Sequence, residues 1–137
     1  MPASWDLHAT LADARVGRLA TVSSDGEPHL VPICFAVLGQ TIYTAIDQKP
    51  KRAGRLRRVA NIAQTGRACL LIDHYDEDWT TLWWIRVDAR ARIVDDLAEV
   101  DRARRVLTDK YEQYVSAPPD GPAIALEIRK ISGWSAA

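Results

Sequence analysis

The sequence predicts a single domain spanning residues 1–137, mainly β: a small antiparallel barrel of six to seven strands with peripheral helices. Three observations carry this expectation. Six or seven short apolar segments are separated by turn signals, and three of them crowd into the stretch from Arg18 to Ile46. Ile85, Val87, Ala89, Ala91 and Ile93 alternate with Arg86, Asp88, Arg90 and Arg92, the period-two pattern of a half-buried strand. No β-α-β unit repeats and no G-x-G-x-x-G occurs, which argues against a parallel dinucleotide-binding sheet.

Taken in order, residues 7–15 read as a short helix with Leu7, Leu11 and Ala14 on one face, capped by Ser4 or Asp6 and stopped by Gly17. Residues 18–23 form a strand. Asp25-Gly26 supplies the positive φ of a hairpin turn, and residues 29–38 return as one strand. Pro32 cannot donate a ladder hydrogen bond, so that strand has an edge or a bulge there. Residues 41–46 complete a three-strand meander. A helix is expected over 51–60, weakened by Gly54. Strands follow at 67–74 and at 80–94, the latter one long strand or a pair, with an acidic loop at 75–78 between them. Asp95-Asp96 caps a helix reaching about residue 115, with Leu97, Val100, Ala103, Val106, Leu107 and Tyr111 inward. Residues 123–131 form the last strand.

Eighteen basic residues balance eighteen acidic ones, and the hydrophobic fraction is 47%. That composition excludes a wholly disordered chain and a globally basic nucleic-acid binder. Residues 1–14 lack the features of a secretory leader, and no apolar run approaches the ~18 residues of a membrane span, so the expectation is a cytoplasmic protein with no membrane partner. Cys34 and Cys69 lie in apolar stretches with no metal or disulfide spacing and are expected to be buried free thiols.

The neutral total conceals one concentration of charge. Lys49, Lys51, Arg52, Arg55, Arg57 and Arg58 place six cations in ten residues with no acid among them, leaving twelve basic against eighteen acidic residues elsewhere. Such a run following a strand and entering a helix suits a phosphate or carboxylate ligand. A compact anion fits better than nucleic acid, because the rest of the chain is acidic. Trp79, Trp83 and Trp84 form an aromatic group in which adjacent Trp83 and Trp84 face opposite sides of a strand. Asp73, His74, Asp76, Glu77 and Asp78 match no metal template, so no metal is expected. His8 and His29 stand isolated, and no G-x-S-x-G or other nucleophile arrangement appears.

Gly17-Arg18-Leu19-Ala20-Thr21, Asp25-Gly26-Glu27-Pro28-His29, Val31-Pro32 and Phe35 resemble the opening of the pyridoxamine 5'-phosphate oxidase-like (PPOX class) family, whose fold is the FMN-binding split β-barrel. Residues 42–47, Lys49-Pro50-Lys51-Arg52 and residues 55–58 resemble its short F420-dependent branch. The resemblance runs from about residue 7 to residue 134. It implies a homodimer with a cofactor site at each end of the interface, and hydride transfer between the deazaflavin F420 and a small organic acceptor. It places Val31, Pro32 and Ile33 and the strand end Thr44, Ala45 and Ile46 along the deazaflavin ring, mostly through backbone groups. Lys51, Arg52 and Arg55 would hold the phosphate, with Lys49 and Arg58 nearer the carboxylates. Trp79 would wall the ring or the substrate pocket, with Trp134 reaching in from the partner. A deazaflavin needs no side-chain nucleophile. Tyr43, Tyr75 and His74 are the candidate proton donors, and FMN binding or a non-catalytic F420 carrier are the alternative readings.

Overall fold

The computed structural model describes residues 5–46 and 53–136, with only the backbone of residues 53–56. Among these, one antiparallel sheet contains β1 (Gly17–Val22), β2 (Pro28–Ile33), β3 (Ala36–Leu38), β4 (Thr41–Ala45), β5 (Arg67–His74), β6 (Trp83–Ile93) and β7 (Ala123–Ser135). Four helices flank it: α1 (Leu7–Asp13), α2 (Ala53–Thr65), α3 (Leu97–Lys110) and α4 (Gln113–Ser116). The strand order is β2-β1-β5-β6-β7-β4-β3.

That order fixes the shape. The two edge strands, β2 and β3, are consecutive in sequence and joined only by Cys34 and Phe35. A link this short spans no more than ~10 Å, so the sheet curls until its edges approach each other. The result is a curled half-barrel whose seam lies between β2 and β3, consistent with a split barrel.

The expected three-strand meander is corrected accordingly. β1 pairs with β2, and β3 pairs with β4, but residues 29–38 do not form one strand. The break falls at Cys34 and Phe35, where the Phe35 ring turns into the core with no exposed surface, and not at Pro32. Pro32 stays in register with Arg18. It is tolerated because β2 is an edge strand.

Local chemistry accounts for the element boundaries. Asp6 caps α1, its carboxylate accepting from the Ala9 N–H at 3.0 Å. Gly17 is not the helix stop; α1 ends at Asp13, and Gly17 opens β1. A Cβ there would lie 2.8 Å from the Leu70 side chain. α2 runs five residues beyond the expected end and stops at Gly66, whose φ of 65° suits glycine. Asp96 caps α3 through the Glu99 N–H. The expected continuous helix to residue 115 divides at Tyr111, whose buried side chain bonds to other segments. Leu97 is 80% exposed and leaves the expected inner face, which Ala103 and Leu107 form without exposure. β7 extends to Ser135 and carries Trp134 opposite Trp84, with a bulge against β6 at Asp88 and Ala89.

The inner face of the sheet packs on Leu11, Leu19, Phe35, Ile85 and Leu126, all without exposed surface. The outer face is less covered. Leu30 (66%), Tyr75 (63%) and Trp134 (43%) are open to solvent. No helix among the described residues is long and apolar enough to cross a membrane.

Candidate functional site at the barrel seam

The seam brings together the two segments named as ring walls. Residues 31–33 end β2, and residues 44 and 45 end β4 with Ile46 just beyond it. The Thr44 hydroxyl donates to the Cys34 carbonyl of the β2–β3 link at 2.7 Å, next to where β4 pairs with β3. Val31 is half-buried, Pro32 exposed, and Ile33, Thr44 and Ile46 buried. Side chains staple a place where the two edge strands form no ladder. The Phe35 N–H donates to the Tyr111 hydroxyl at 3.0 Å, and Lys110 Nζ donates to the carbonyls of Phe35 (2.9 Å) and Ala14 (2.6 Å).

Ile46 is fixed from the other side. Its N–H donates to the Pro122 carbonyl at 2.9 Å. Gly121 passes so near that a Cβ would sit 1.8 Å from the Ile46 carbonyl oxygen. Only a residue without a side chain allows this approach.

Beyond Ile46 the chain leads to α2 and the basic run. Lys49, Lys51 and Arg52 lie outside the described residues, as does the side chain of Arg55. Arg57 is exposed, and Arg58 is 8% exposed on the inner side of α2. The structure adds a residue that the sequence left isolated. His29 on β2 pairs in register with Thr21, whose hydroxyl accepts from the Asn61 amide of α2 at 3.1 Å. Its Nδ1 is buried without a hydrogen-bond partner. Burial, then the charges of Arg57 and Arg58, hold the imidazole below its ordinary value. The Arg57 and Arg58 charges therefore act on His29 at the edge of β2. The alternation His29, Val31, Ile33 was the available signal, since it sets all three on one face of the strand.

The remaining candidates separate. Trp83 packs edge-on against Trp5 at 5.9 Å between ring centres, on the inner face. Trp84 faces outward, lining a hollow of about 280 Å³ with Leu71, Asp73, Tyr75 and Arg86. Opposite facing is thus as expected. Trp79 is 74% exposed on a single 3-10 turn between β5 and β6, an element separate from either wall.

Tyr43 is corrected as a proton donor. It is 4% exposed, and its hydroxyl is committed to Glu99 at 2.7 Å, which together with burial pushes its ionisation up. His74 is exposed and bonded to Asp76, while Tyr75 stands on the outer face, away from the seam. The cysteines are free, but Cys34 is exposed and Cys69 only half-buried, because the strand break at Cys34 turns its side chain out as Phe35 turns in. Among the described residues no group of three or more His, Cys, Asp or Glu could hold a metal.

A curled seven-stranded antiparallel sheet with its seam between β2 and β3 defines a split-barrel protein. The family model for pyridoxamine 5'-phosphate oxidase matches residues 6–135, and the chain belongs to that family. A 5a,11a-dehydrotetracycline/5a,11a-dehydrooxytetracycline reductase of Streptomyces rimosus is 37% identical over 57 residues, 42% of this chain; the match spans 39% of the reductase's length. An FAD-binding protein from Mesorhizobium loti superposes with a TM-score of 0.70 at 21% identity, covering 96% of this chain and 94% of that one. A haem storage protein from Vibrio cholerae gives 0.71 at 13% identity, covering 93% and 92%. An FAD-binding protein from Mycobacterium smegmatis gives 0.66 at 21%, covering 98% and 94%. At these identities the superpositions establish the fold.

Proposed function

We propose that this protein is an F420-dependent oxidoreductase that moves hydride between the deazaflavin and a small, planar, electron-poor organic acceptor. The observation that carries the reading is the seam itself. Residues 31–33 and 44–46 both adjoin the β2–β3 link, to which Thr44 bonds through the Cys34 carbonyl, and the edge of β2 continues from there to His29 beside Arg57 and Arg58. A ring-and-tail cofactor has that division of chemistry. Bound F420 would supply a carbon hydride donor where a flavin has N5. The chain's part is to seat the ring on backbone groups, hold the anionic tail through the cations between Lys49 and Arg58, and keep water from the reacting face. No side chain at the seam is assigned a proton transfer, and solvent serves as the donor. The reductase name of the S. rimosus relative supports a reductive reaction on an organic acceptor.

The same reading includes a homodimer. Leu71, Arg86 and Arg18 share one register row on the outer face, and Trp84 and Trp134 share the row beside Asp73. That face exposes Leu30, Leu71 and Trp134 and holds a groove of about 590 Å³ with Cys69 and Asp88 among its walls. A second copy of the chain would cover it, and would bring Trp79 and Trp134 of each subunit toward the partner's seam.

Titration with both cofactors tests the reading. Micromolar F420 is expected to change its fluorescence on adding protein and to bind more tightly than FMN. Tighter binding of FMN would favour the flavin member of the fold, with a single phosphate facing more cations than it needs. F420 binding with no hydride transfer to quinones, nitroaromatics or enones would make the protein a carrier.

A further inference from the structure

Lys110 is unusual for its surroundings. Its ammonium sits at the end of α3, half-buried, 4.3 Å from the centre of the Phe35 ring and 5.3 Å from that of Tyr111. It donates to the Ala14 carbonyl at the end of α1 and to the Phe35 carbonyl in the β2–β3 link. Its polar contacts here are carbonyls and ring faces, with no carboxylate among its hydrogen-bond partners. The charged groups around it are Arg15 and Asp13 from the α1 side and the Cys34 thiol from the link. Burial, then the Arg15 charge, lowers it to about 8, with Cys34 and Asp13 acting in the opposite sense.

The sign of that shift is informative. Between about pH 8 and its ordinary 10.5 the unfolded chain holds a proton here that the folded chain has lost, so this group's contribution to stability rises with pH. Below pH 8 the fold carries the ammonium at a cost.

We propose that Lys110 is a positioning residue for the cofactor site: its ammonium, bridging the carbonyls of Ala14 and Phe35, sets the β2–β3 link that carries the wall of residues 31–33 and receives the hydroxyl of Thr44 from the other wall. The inference rests on the reading of the seam as the ring site and adds a residue from a distant element to it. In the charged form the two carbonyls are held by charge-assisted hydrogen bonds. The neutral amine holds them more weakly, and the link relaxes.

The test follows F420 affinity by fluorescence and stability by urea unfolding, both from pH 6.5 to 9.5, in the intact protein. In the wild type, affinity falls about five- to tenfold with a midpoint near pH 8 as the two charge-assisted bonds are exchanged for neutral ones, while stability does not fall across the same step. A loss of affinity that came from unfolding would lower both together. Lys110→Met binds F420 weakly at every pH, without the step. Lys110→Arg keeps its charge and binds without the step at close to wild-type strength. Cys34→Ser retains the step, which separates the amine from the neighbouring thiol. Affinity that is flat in the wild type, or a step that survives in Lys110→Met or vanishes in Cys34→Ser, overturns the proposal. Should Lys110→Met fail to fold, the wild-type series against Lys110→Arg decides. Absence of F420 binding by the wild type at any pH is a different result, and it removes the cofactor reading itself.

Discussion

Arg92 on β6 grips Glu99 on α3 through two parallel hydrogen bonds of 2.7 Å each. The same guanidinium reaches Glu127 on β7 at 2.7 Å, and the Tyr43 hydroxyl of β4 donates to Glu99 at 2.7 Å. One buried carboxylate thereby joins a helix to β4 and β6. It secures α3, whose far end carries Lys110 and Tyr111 to the seam.

The Glu99 carboxyl is held down at about 2, first by its bonds to Arg92, then by Tyr43. Unfolded, it titrates near 4.5, so the unfolded chain binds more protons between those values. The contribution is present in full above about pH 4.5 and is lost as pH falls toward 2. Glu99→Gln is expected to cost about 2 kcal/mol at neutral pH, allowing for the partly exposed guanidinium, and to flatten the acid limb of the stability curve. Urea unfolding at pH 7 and pH 3 measures it; an unchanged acid limb would count against this account.

Gly121→Ala places a methyl group against the Ile46 carbonyl oxygen, where an ideal Cβ would be 1.8 Å away. Backbone must move at Gly121 or at Ile46. The expected loss is at the upper end of overpacking costs, about 3 kcal/mol, together with weaker F420 binding because Ile46 belongs to a wall. Thermal unfolding and cofactor titration of the same variant check both parts.

Replacing Lys51 and Arg52 together by alanine removes two cations of the run. If both bond the anionic tail, F420 affinity falls by ~2–4 kcal/mol, with little change in stability. Equal affinity in the double variant would take these two residues out of the site.

Leu71→Asp sets a charge in the outer face, where Leu71 lies between Arg18 and Arg86 in register and is 37% exposed. A monomer is expected by sedimentation, with the fold retained by circular dichroism. A dimer that persists would place the interface elsewhere.

Much of the sheet was legible because periodicity reports burial directly. Residues 67–74 form β5 as expected, and the alternation of residues 85–93 is the alternation of β6. Asp6 and Asp96 cap helices because a side-chain oxygen before an apolar helical face has one good use. Long-range partners were not legible. Tyr43 reads as an available hydroxyl until Glu99, 56 residues away, is brought onto it. His29 reads as isolated until α2 lays Arg57 and Arg58 beside it.

The family motif and the basic run from Lys49 to Arg58 are properties of the chain, fixed by residue type and spacing. Tertiary structure decided where the strand between His29 and Leu38 breaks, and therefore which residues face each other at the seam. A local pattern describes each strand's inner and outer face. The sheet's closure depends on the curl that brings β2 and β3 together, and on Lys110, Tyr111 and Thr44, which reach the Cys34–Phe35 link from other elements. Those contacts join residues up to 76 positions apart, and short-range spacing carries no record of them.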